Sequence, residues 1–341
     1  MMKKDFWHNS KVVVIGSGSW GTVLANLVAR NSVETRLWSR DEEQVRAMNA
    51  TRVNAKYLPN TPLHERIQVV HSLDRLFEGG VRVVIWALPS SACREQAKQF
   101  ARYLTGDEIV IHATKGVEPV TLKRVSEILK EELPCARIGV ISGPNLAQEV
   151  ARGDPSAAVV ASRFDEVIEC GQVLFTNDNF RVYGSYDVIG VEWAGALKNV
   201  LAIASGALES LGLGWNAKAL LITRGLVELA RFGMAMGGKE PTFLGLAGLG
   251  DLLATSNSTL SRNYRVGMAI AKGEKLPDIL SRLGGTAEGV KTATTVREFA
   301  VARGIPMPIT EGVYQLLQGN VQVGEAIRVL MTRPLKSEWS T

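Results

Sequence analysis

The sequence predicts an α/β chain: a doubly wound parallel sheet in its N-terminal part, followed by an all-helical domain. Three observations carry this. Over residues 11–160, short β-branched runs alternate with helix-periodic segments, the pattern of a parallel sheet covered on both faces. Four β-branched residues, Val12, Val13, Val14 and Ile15, run straight into Gly16-Ser17-Gly18-Ser19-Trp20-Gly21-Thr22. From Val188 onward β-runs become scarce, and stretches rich in Ala, Leu and Gly take their place.

The first strand and its turn are the most informative stretch. In a Gly-x-Gly-x-x-Gly turn the first glycine, Gly16, allows the tight strand-to-helix reversal. Gly18 lets backbone approach a pyrophosphate, and Gly21 brings the helix close to the strand, so that the helix N-terminus faces the phosphates. The segment that follows puts Val23, Leu24, Leu27 and Val28 on one side. A strand before and a helix after are the context that turns a glycine pattern into a dinucleotide site. The N-terminal domain is therefore predicted to be Rossmann-like.

The remaining strands follow in order. Thr35-Arg36-Leu37-Trp38 is the second and residues 67–70 the third; residues 81–88 form the fourth, stopped by Pro89. Residues 108–113 and 137–142 give the fifth and sixth, and runs at 157–161 and 180–183 extend the sheet further. The boundary is expected near residues 185–190, giving a cofactor domain over 1–187 and a helical substrate domain over 188–341. Residues 334–341 are polar enough to fray.

Composition narrows the function. At 341 residues with 46% apolar side chains the chain is long enough for two cored domains. The formal charge of +5 suits an anionic ligand. Lys and Arg are dispersed rather than clustered, so no nucleic-acid surface is indicated. Cys93, Cys135 and Cys170 are odd in number and lack CxxC spacing, as in a reduced cytoplasmic chain without a zinc site. His8, His64, His71 and His112 show no metal-ligand spacing, and His112 lies in a β-like run where packing is expected. Lys3 and Lys4 before an apolar stretch imitate a signal peptide, but that stretch holds three glycines and leads into an amphipathic helix. The apolar region around 191–214 is interrupted by Glu192, Lys198 and Glu209, so no membrane insertion is expected.

Two further sites carry chemistry. At the end of the second strand an NAD site usually places an acidic residue and an NADP site an arginine. Here Trp38-Ser39-Arg40 stands, with Asp41 and Glu42 placed as the cap and first turn of the next helix. Serine and Arg40 lean towards NADP over NAD, with a solvated Arg40 as the alternative. The second site is Lys198. Its helical neighbours Val191, Ala194, Gly195, Leu201, Ala202 and Ser205 are all small or apolar. Such a lysine either snorkels or is held dry, which lowers its pKa towards the range of proton transfer.

Together these motifs make the chain resemble the NAD(P)-dependent glycerol-3-phosphate dehydrogenases, in particular the bacterial form. The resemblance spans nearly the whole length. It rests on Gly16-Ser17-Gly18-Ser19-Trp20-Gly21-Thr22, Ala113-Thr114-Lys115-Gly116, Ser142-Gly143-Pro144-Asn145-Leu146-Ala147 and Gly195-Ala196-Leu197-Lys198-Asn199-Val200. Gly245-Leu246-Ala247-Gly248-Leu249-Gly250-Asp251, Ser261-Arg262-Asn263 and Pro306-Met307-Pro308-Ile309 complete it. The resemblance implies reversible reduction of dihydroxyacetone phosphate to sn-glycerol 3-phosphate for phospholipid synthesis, in a cytoplasmic homodimer. It implies that Lys198 exchanges the proton and that Ser19, Trp20 and Arg40 lie along the cofactor. Lys115 stands between cofactor and substrate. Gly143 and Asn145 lie on the substrate side and Ala147 on the cofactor side, with Asn145 where the family commonly has serine or threonine. Asp251, Ser261, Arg262 and Asn263 belong to the substrate site, Arg262 also reaching the cofactor, and Glu288 is another cofactor contact.

The residue types agree with these roles and leave alternatives. Ser261-Arg262-Asn263 opens a helix, and helix amides with a guanidinium make a phosphate site; the alternative is a serine cap beside a solvated arginine. Asp251 near Lys198 would orient the ammonium, or it is an N-cap. Lys115 lies at a strand's carboxyl end, where open α/β sheets bind ligands, or is a turn lysine. The glycine-rich run 245–250 has no strand leading into it and is expected to serve close helix packing. Two other functions fit the same architecture. One is a dehydrogenase of a phosphate-free hydroxy acid. The other is a non-catalytic NAD(P)-sensing module, which would need neither Lys198 nor the Ser261 cluster.

Overall fold

The computed structural model describes residues 7, 10–31, 33–335 and 337–338. Lys3, Lys4, His8 and part of the tail expected to fray lie outside the described residues. The N-terminal part runs β1 (Val12–Ile15), α1 (Ser19–Arg30), β2 (Thr35–Trp38), α2 (Glu42–Thr51), β3 (Val53–Asn54), β4 (Leu58–Pro62) and β5 (Ile67–Val70). It continues with α3 (Leu73–Phe77), β6 (Val83–Trp86), a 3-10 turn (Ser90–Ala92), α4 (Cys93–Ala101), β7 (Ile109–His112), α5 (Val125–Glu132) and β8 (Arg137–Ser142). Then come α6 (Ala147–Arg152), β9 (Ser156–Ser162), α7 (Asp165–Phe175) and β10 (Phe180–Ser185).

These strands form one eight-stranded sheet in the order β10-β9-β8-β7-β6-β1-β2-β5, and β3-β4 form a separate hairpin. The chain reverses direction across the sheet between β1 and β6, so the turn after β1 opens where the strand order switches, the place where such sheets bind ligands. Val12, Val14, Ile85 and Ile111 face one layer of helices, with α1 and α7 packed on it. Val13, Ile15, Val84 and Val110 face the other, where Phe100 of α4 and Ile128 of α5 complete the core.

The expectation of an all-parallel sheet needs one correction. β9 pairs antiparallel with β8, from Gly139 opposite Ser162 to Ser142 opposite Val159, and β10 then runs parallel to β9. The physical reason is the connection. The six residues of α6 advance about 9 Å, whereas β8 with its six residues is about 20 Å long. The chain does not return to the far edge of the sheet, and re-enters from the near one.

The β3-β4 hairpin was not foreseen, because a two-residue strand and a proline-flanked one carry no period-2 signal. It braces the glycine turn. Asn54 Nδ2 donates to Ser17 O and to Thr22 Oγ1, both at 2.8 Å.

Beyond Ser185 the described elements are helical: α8 (Val188–Ser210), α9 (Trp215–Ala235), α10 (Glu240–Leu244), a π-helical turn (Leu246–Gly250), α11 (Asp251–Ser256), α12 (Arg262–Ala271), α13 (Leu276–Arg282), α14 (Glu288–Ala302), α15 (Pro308–Leu317) and α16 (Val323–Met331). Asp187 caps the start of α8 by accepting from Gly190 N at 2.9 Å. The same carboxylate accepts from Lys239 N and Thr242 Oγ1 and so ties α10 to the start of α8.

α8 is the axis of this part. Every residue from Gly190 to Leu208 is buried. It is long and apolar enough to cross a bilayer, but 89% of its apolar window is buried within the protein, so it is a core helix. α12 crosses it with backbones touching. A Cβ on Gly267 would stand 1.9 Å from Ile203 O, and one on Gly206 2.0 Å from Tyr264 O. The glycine-rich run 245–250 is packing, as expected: a Cβ on Gly248 would meet Phe243 O at 2.0 Å.

These contacts make a prediction. Gly267→Ala forces α12 off α8, an overpacking worth about 1–3 kcal/mol, and a thermal melt should show a lower midpoint. An unchanged midpoint would mean that the two helices separate freely.

Candidate active site

The site lies at the carboxyl ends of the strands, with the glycine turn after β1 on one side and the segments after β7 and β8 reaching α8 on the other. Two of the three glycines in the first turn are required by space. Gly16 holds φ +114° with its Cβ position 2.6 Å from Ala87 O, and a Cβ on Gly21 would fall 1.9 Å from Gly16 O. Gly18 is different: nothing lies within 4 Å of its Cβ position. It precedes α1 without any side-chain cap. Open space beside uncapped helix amides is what a pyrophosphate needs. The turn's side chains are oriented by their neighbours. Ser19 Oγ donates to Tyr57 O at 2.8 Å. Trp20 packs against Phe180 with ring centroids 6.4 Å apart, and its buried indole N–H has no acceptor among the described residues. The turn therefore fits a dinucleotide cofactor.

At the end of β2, Ser39 is buried with its Oγ 3.0 Å from Gln44 Oε1, and Arg40 is exposed. Asp41 caps α2, accepting from Gln44 N at 3.1 Å, and its carboxylate is engaged there.

The chemistry concentrates on one carboxylate. Asp251, 2% exposed, accepts from Lys115 Nζ at Oδ2 (2.7 Å) and from Lys198 Nζ at Oδ1 (2.9 Å). It is the first residue of α11, with Gly250 in the capping position, so the N-cap alternative does not hold. The π-helical turn before it, a widened turn of the kind found at functional sites, delivers the carboxylate to α8. Lys198 is 5% exposed on α8 and also donates to Thr255 Oγ1 at 2.5 Å, while Thr255 Oγ1 donates to Asp251 Oδ1 at 3.1 Å. Lys115 is no turn lysine on the surface: its Nζ also donates to Gly143 O at 2.9 Å, and Asn199 Nδ2 donates to its carbonyl at 3.3 Å.

Two ammonium groups therefore share one carboxylate in a dry pocket, a net positive site for an anion. Burial lowers the pKa of Lys198; Asp251 opposes the shift and Lys115 adds to it, leaving the amine at about 8. Burial alone would raise the Asp251 carboxyl, but the two lysines outweigh it and hold it below its ordinary value.

Around this centre the structure sorts the other candidates. Ser261 is buried and caps α12, accepting from Tyr264 N at 3.2 Å. Arg262 begins that helix, with Glu288 and Tyr57 within electrostatic reach, and its Nη1 stands 2.1 Å from the Cβ position of Gly285. Asn263 is buried; its Nδ2 donates to Asn199 Oδ1 at 2.9 Å and its Oδ1 accepts from Gly289 N at 3.0 Å. Glu288 accepts from Ser90 N (3.1 Å) and Ser90 Oγ (2.5 Å), closing the helical part onto the loop after β6. Gly143 adopts φ +145° with its Cβ position 2.9 Å from Ala157 O. Asn145, in the orientation that pairs donors with acceptors, gives its amide to Ala157 O (3.1 Å) and Pro144 O (3.2 Å). Ala147 opens α6 and packs on the sheet core near α1.

Lys115, Lys198, Asp251 and Gly143 thus meet directly. Asn263 is linked to them through Asn199, Glu288 interacts with Arg262, and Arg40 stands apart at the end of β2. Thr255 and Asn199 were missed. Thr255 was findable, since it follows Asp251 by four residues and must share its helix face.

Asp251→Asn keeps the shape and removes the charge. The Lys198 amine should then titrate below about 8, as read by ¹⁵N NMR of the lysine side chains, because the repulsion from Lys115 is no longer offset. Breaking a buried pair this way should also cost about 3–5 kcal/mol of stability. An unmoved titration would show that Asp251 does not set the Lys198 charge.

Comparison with known proteins places the chain. Family models described as the N-terminus and C-terminus of NAD-dependent glycerol-3-phosphate dehydrogenase match residues 11–168 and 187–328. A protein of Leuconostoc mesenteroides named glycerol-3-phosphate dehydrogenase [NAD(P)+] is 43% identical over 335 residues, covering 96% of this chain and 99% of that one. A protein of the same name from Geobacter sulfurreducens is 44% identical over 333 residues, covering 97% and 99%. Among solved structures, the glycerol-3-phosphate dehydrogenase of Coxiella burnetii superposes with a TM-score of 0.91 at 36% identity, over 96% of this chain and all of the other. The chain belongs to the NAD-dependent glycerol-3-phosphate dehydrogenase family.

Proposed function

We propose that this protein reversibly reduces dihydroxyacetone phosphate to sn-glycerol 3-phosphate with NADH or NADPH, supplying glycerophospholipid synthesis. The observation that carries this is the buried Asp251 shared by Lys115 and Lys198 beside an open, uncapped glycine turn. When bound, the nicotinamide cofactor supplies the hydride. Lys198 faces the substrate's carbonyl oxygen and gives it the proton as the carbon accepts the hydride pair, so that C=O becomes CH–OH; in the reverse direction the neutral amine takes that proton. Asp251 and Thr255 hold the amine in one orientation, and Lys115 adds positive charge where the oxygen becomes negative. Gly143, through its carbonyl, sets the position of Lys115.

The phosphate end of the substrate is assigned to Ser261, Arg262 and Asn263 at the start of α12, where free helix amides and a guanidinium suit a dianion. Asn145 keeps the loop over the substrate. Gly16, Gly18, Ser19, Trp20 and Gly21 would hold the pyrophosphate and its neighbourhood, and Ala147, Lys115, Arg262 and Glu288 would make further contacts with the cofactor. Arg40 is proposed to favour NADP over NAD by pairing with the 2′-phosphate. The working unit is a cofactor domain (1–187) and a substrate domain (188–341) with the cleft between them, in a cytoplasmic homodimer. Exposed Trp215 and Leu220 on α9 support a dimer face there.

Lys198→Ala should lower kcat about 100- to 10,000-fold, the range of a lost general acid, with NADPH affinity within about twofold of the parent by fluorescence titration. Turnover near the parent's would sink the proton-transfer role. Because the ammonium is the donor, the rate of ketone reduction should fall as pH rises through about 8, and alcohol oxidation should rise over the same interval. Initial rates in both directions check the sign. Arg40→Ala should raise the KM for NADPH about tenfold, the loss of one charge-assisted bond, and leave that for NADH unchanged; equal effects would remove Arg40 from cofactor choice. A parent protein that oxidises NADPH with phosphate-free keto acids and not with dihydroxyacetone phosphate would overturn the substrate assignment.

A further inference from the structure

Lys115 sits on the segment 113–124 between β7 and α5, and both shoulders of that segment meet one buried side chain. Glu192 lies on α8, its carboxyl side chain 3% exposed. At the entry shoulder His112, the last residue of β7, places Nε2 3.1 Å from Glu192 Oε1. At the exit shoulder Arg124 Nη1 donates to Oε2 at 2.7 Å. Ser126 donates there through its backbone N to Oε1 (2.8 Å) and through Oγ to Oε2 (2.5 Å). The tip between the shoulders has anchors of its own, since Glu118 pairs with Arg94 at 2.6 Å and Val117 and Leu122 are buried, but none of them reaches α8 through a polar contact as the shoulders do. Val120 takes φ +74° at 96% exposure and Leu122 takes φ +58°, conformations that L-residues with β-branched or bulky side chains avoid. Six residues further along the same helix, about 9 Å, stands Lys198.

We propose that Glu192 is a positioning residue for the reaction: it suspends the Lys115 segment by both ends from the helix that carries Lys198, and so sets how closely the two ammonium groups approach Asp251. The inference rests on the roles proposed above for Lys115 and Lys198. A charge as buried as this persists only when paired and hydrogen-bonded. Burial opposes it, and His112, Arg124 and Ser126 overcome that opposition and hold the carboxyl at about 2. Arg124 is also held by Glu127 at 3.0 Å, so the exit shoulder is fixed from two sides. The groups facing Lys198 are Asp251, Lys115 and the Thr255 hydroxyl. When the segment slackens, Lys115 withdraws from Asp251. Its repulsion of the Lys198 ammonium disappears, and the whole carboxylate charge then acts on Lys198, so the amine should titrate higher.

The test compares the parent with Glu192→Gln and Ser126→Ala. Rates of NADPH oxidation are measured against dihydroxyacetone phosphate concentration and pH. In parallel, acetylation of Lys115 and Lys198 by acetic anhydride is followed against pH by mass spectrometry. Glu192→Gln should raise the KM for dihydroxyacetone phosphate about tenfold, the scale of a slight misplacement of a binding group. It should move the alkaline limb of reduction up by about one pH unit. The onset of Lys198 acetylation should shift upward with it, and Lys115 should become easier to acetylate. Ser126→Ala should move all four in the same direction by less, and it supplies the readouts if Glu192→Gln does not fold. A lower thermal midpoint with parental KM, pH limb and acetylation onset would reduce Glu192 to a structural contact and overturn the proposal. A parent without turnover on this substrate would sink the proposed function alone, since the acetylation profiles read the lysine positions without it.

Discussion

One buried carboxylate between two ammonium groups is the constraint around which this molecule is built. Asp251 keeps Lys115 and Lys198 within hydrogen-bond reach of a common point. Burial pushes the Lys198 amine towards its neutral form, and Asp251 opposes that shift. The arrangement leaves one unit of positive charge uncompensated, which suits an oxygen that turns negative during reaction. It also leaves Lys198 close to the pH at which an amine gives and takes a proton with equal ease.

Three parts of the fold must agree for those atoms to meet. Lys115 comes from the carboxyl end of β7, Lys198 from the buried middle of α8, and Asp251 from a π-widened turn packed on both α8 and β9. Glycine makes the close approaches possible: α12 lies directly on α8 at Gly206 and Gly267, and α1 lies on the glycine turn at Gly21. Glu288, bonded to Ser90, joins the helical part to the sheet on the opposite wall of the pocket. Each of these contacts involves backbone or a buried polar group, so the pocket has little freedom to open by repacking.

Most strands were legible because a parallel sheet buried on both faces writes itself as continuous β-branched runs, as in Val12–Ile15 and Val83–Trp86. Lys198 was legible for the opposite reason, a lone cation on an otherwise apolar helix. Asp41 was correctly placed as a cap, and Ser261 caps its helix, the alternative that its residue type had left open. The reversal of β9 was not visible, since an antiparallel strand buried on both faces has the same composition as a parallel one. Nor was the β3-β4 hairpin, whose Asn54 works through a side-chain amide on the backbone of the glycine turn. The bonds from the Asn145 amide nitrogen to the carbonyls of Pro144 and Ala157 were likewise not visible in the sequence.

The sequence by itself determined the local periods, the glycine turn and the family to which the chain belongs, because these depend on residues close together in the chain. Which charges face one another was decided only by the tertiary structure. Lys115, Lys198 and Asp251 are widely separated in sequence, and their shared hydrogen bonds come from the packing of β7, α8 and α11. The same holds for Glu192, which sequence presents only as a charge interrupting an apolar helix. Burial against His112, Arg124 and Ser126 gives it partners. A charge in a hydrophobic run is a question that composition raises, and the elements packed across from it supply the answer.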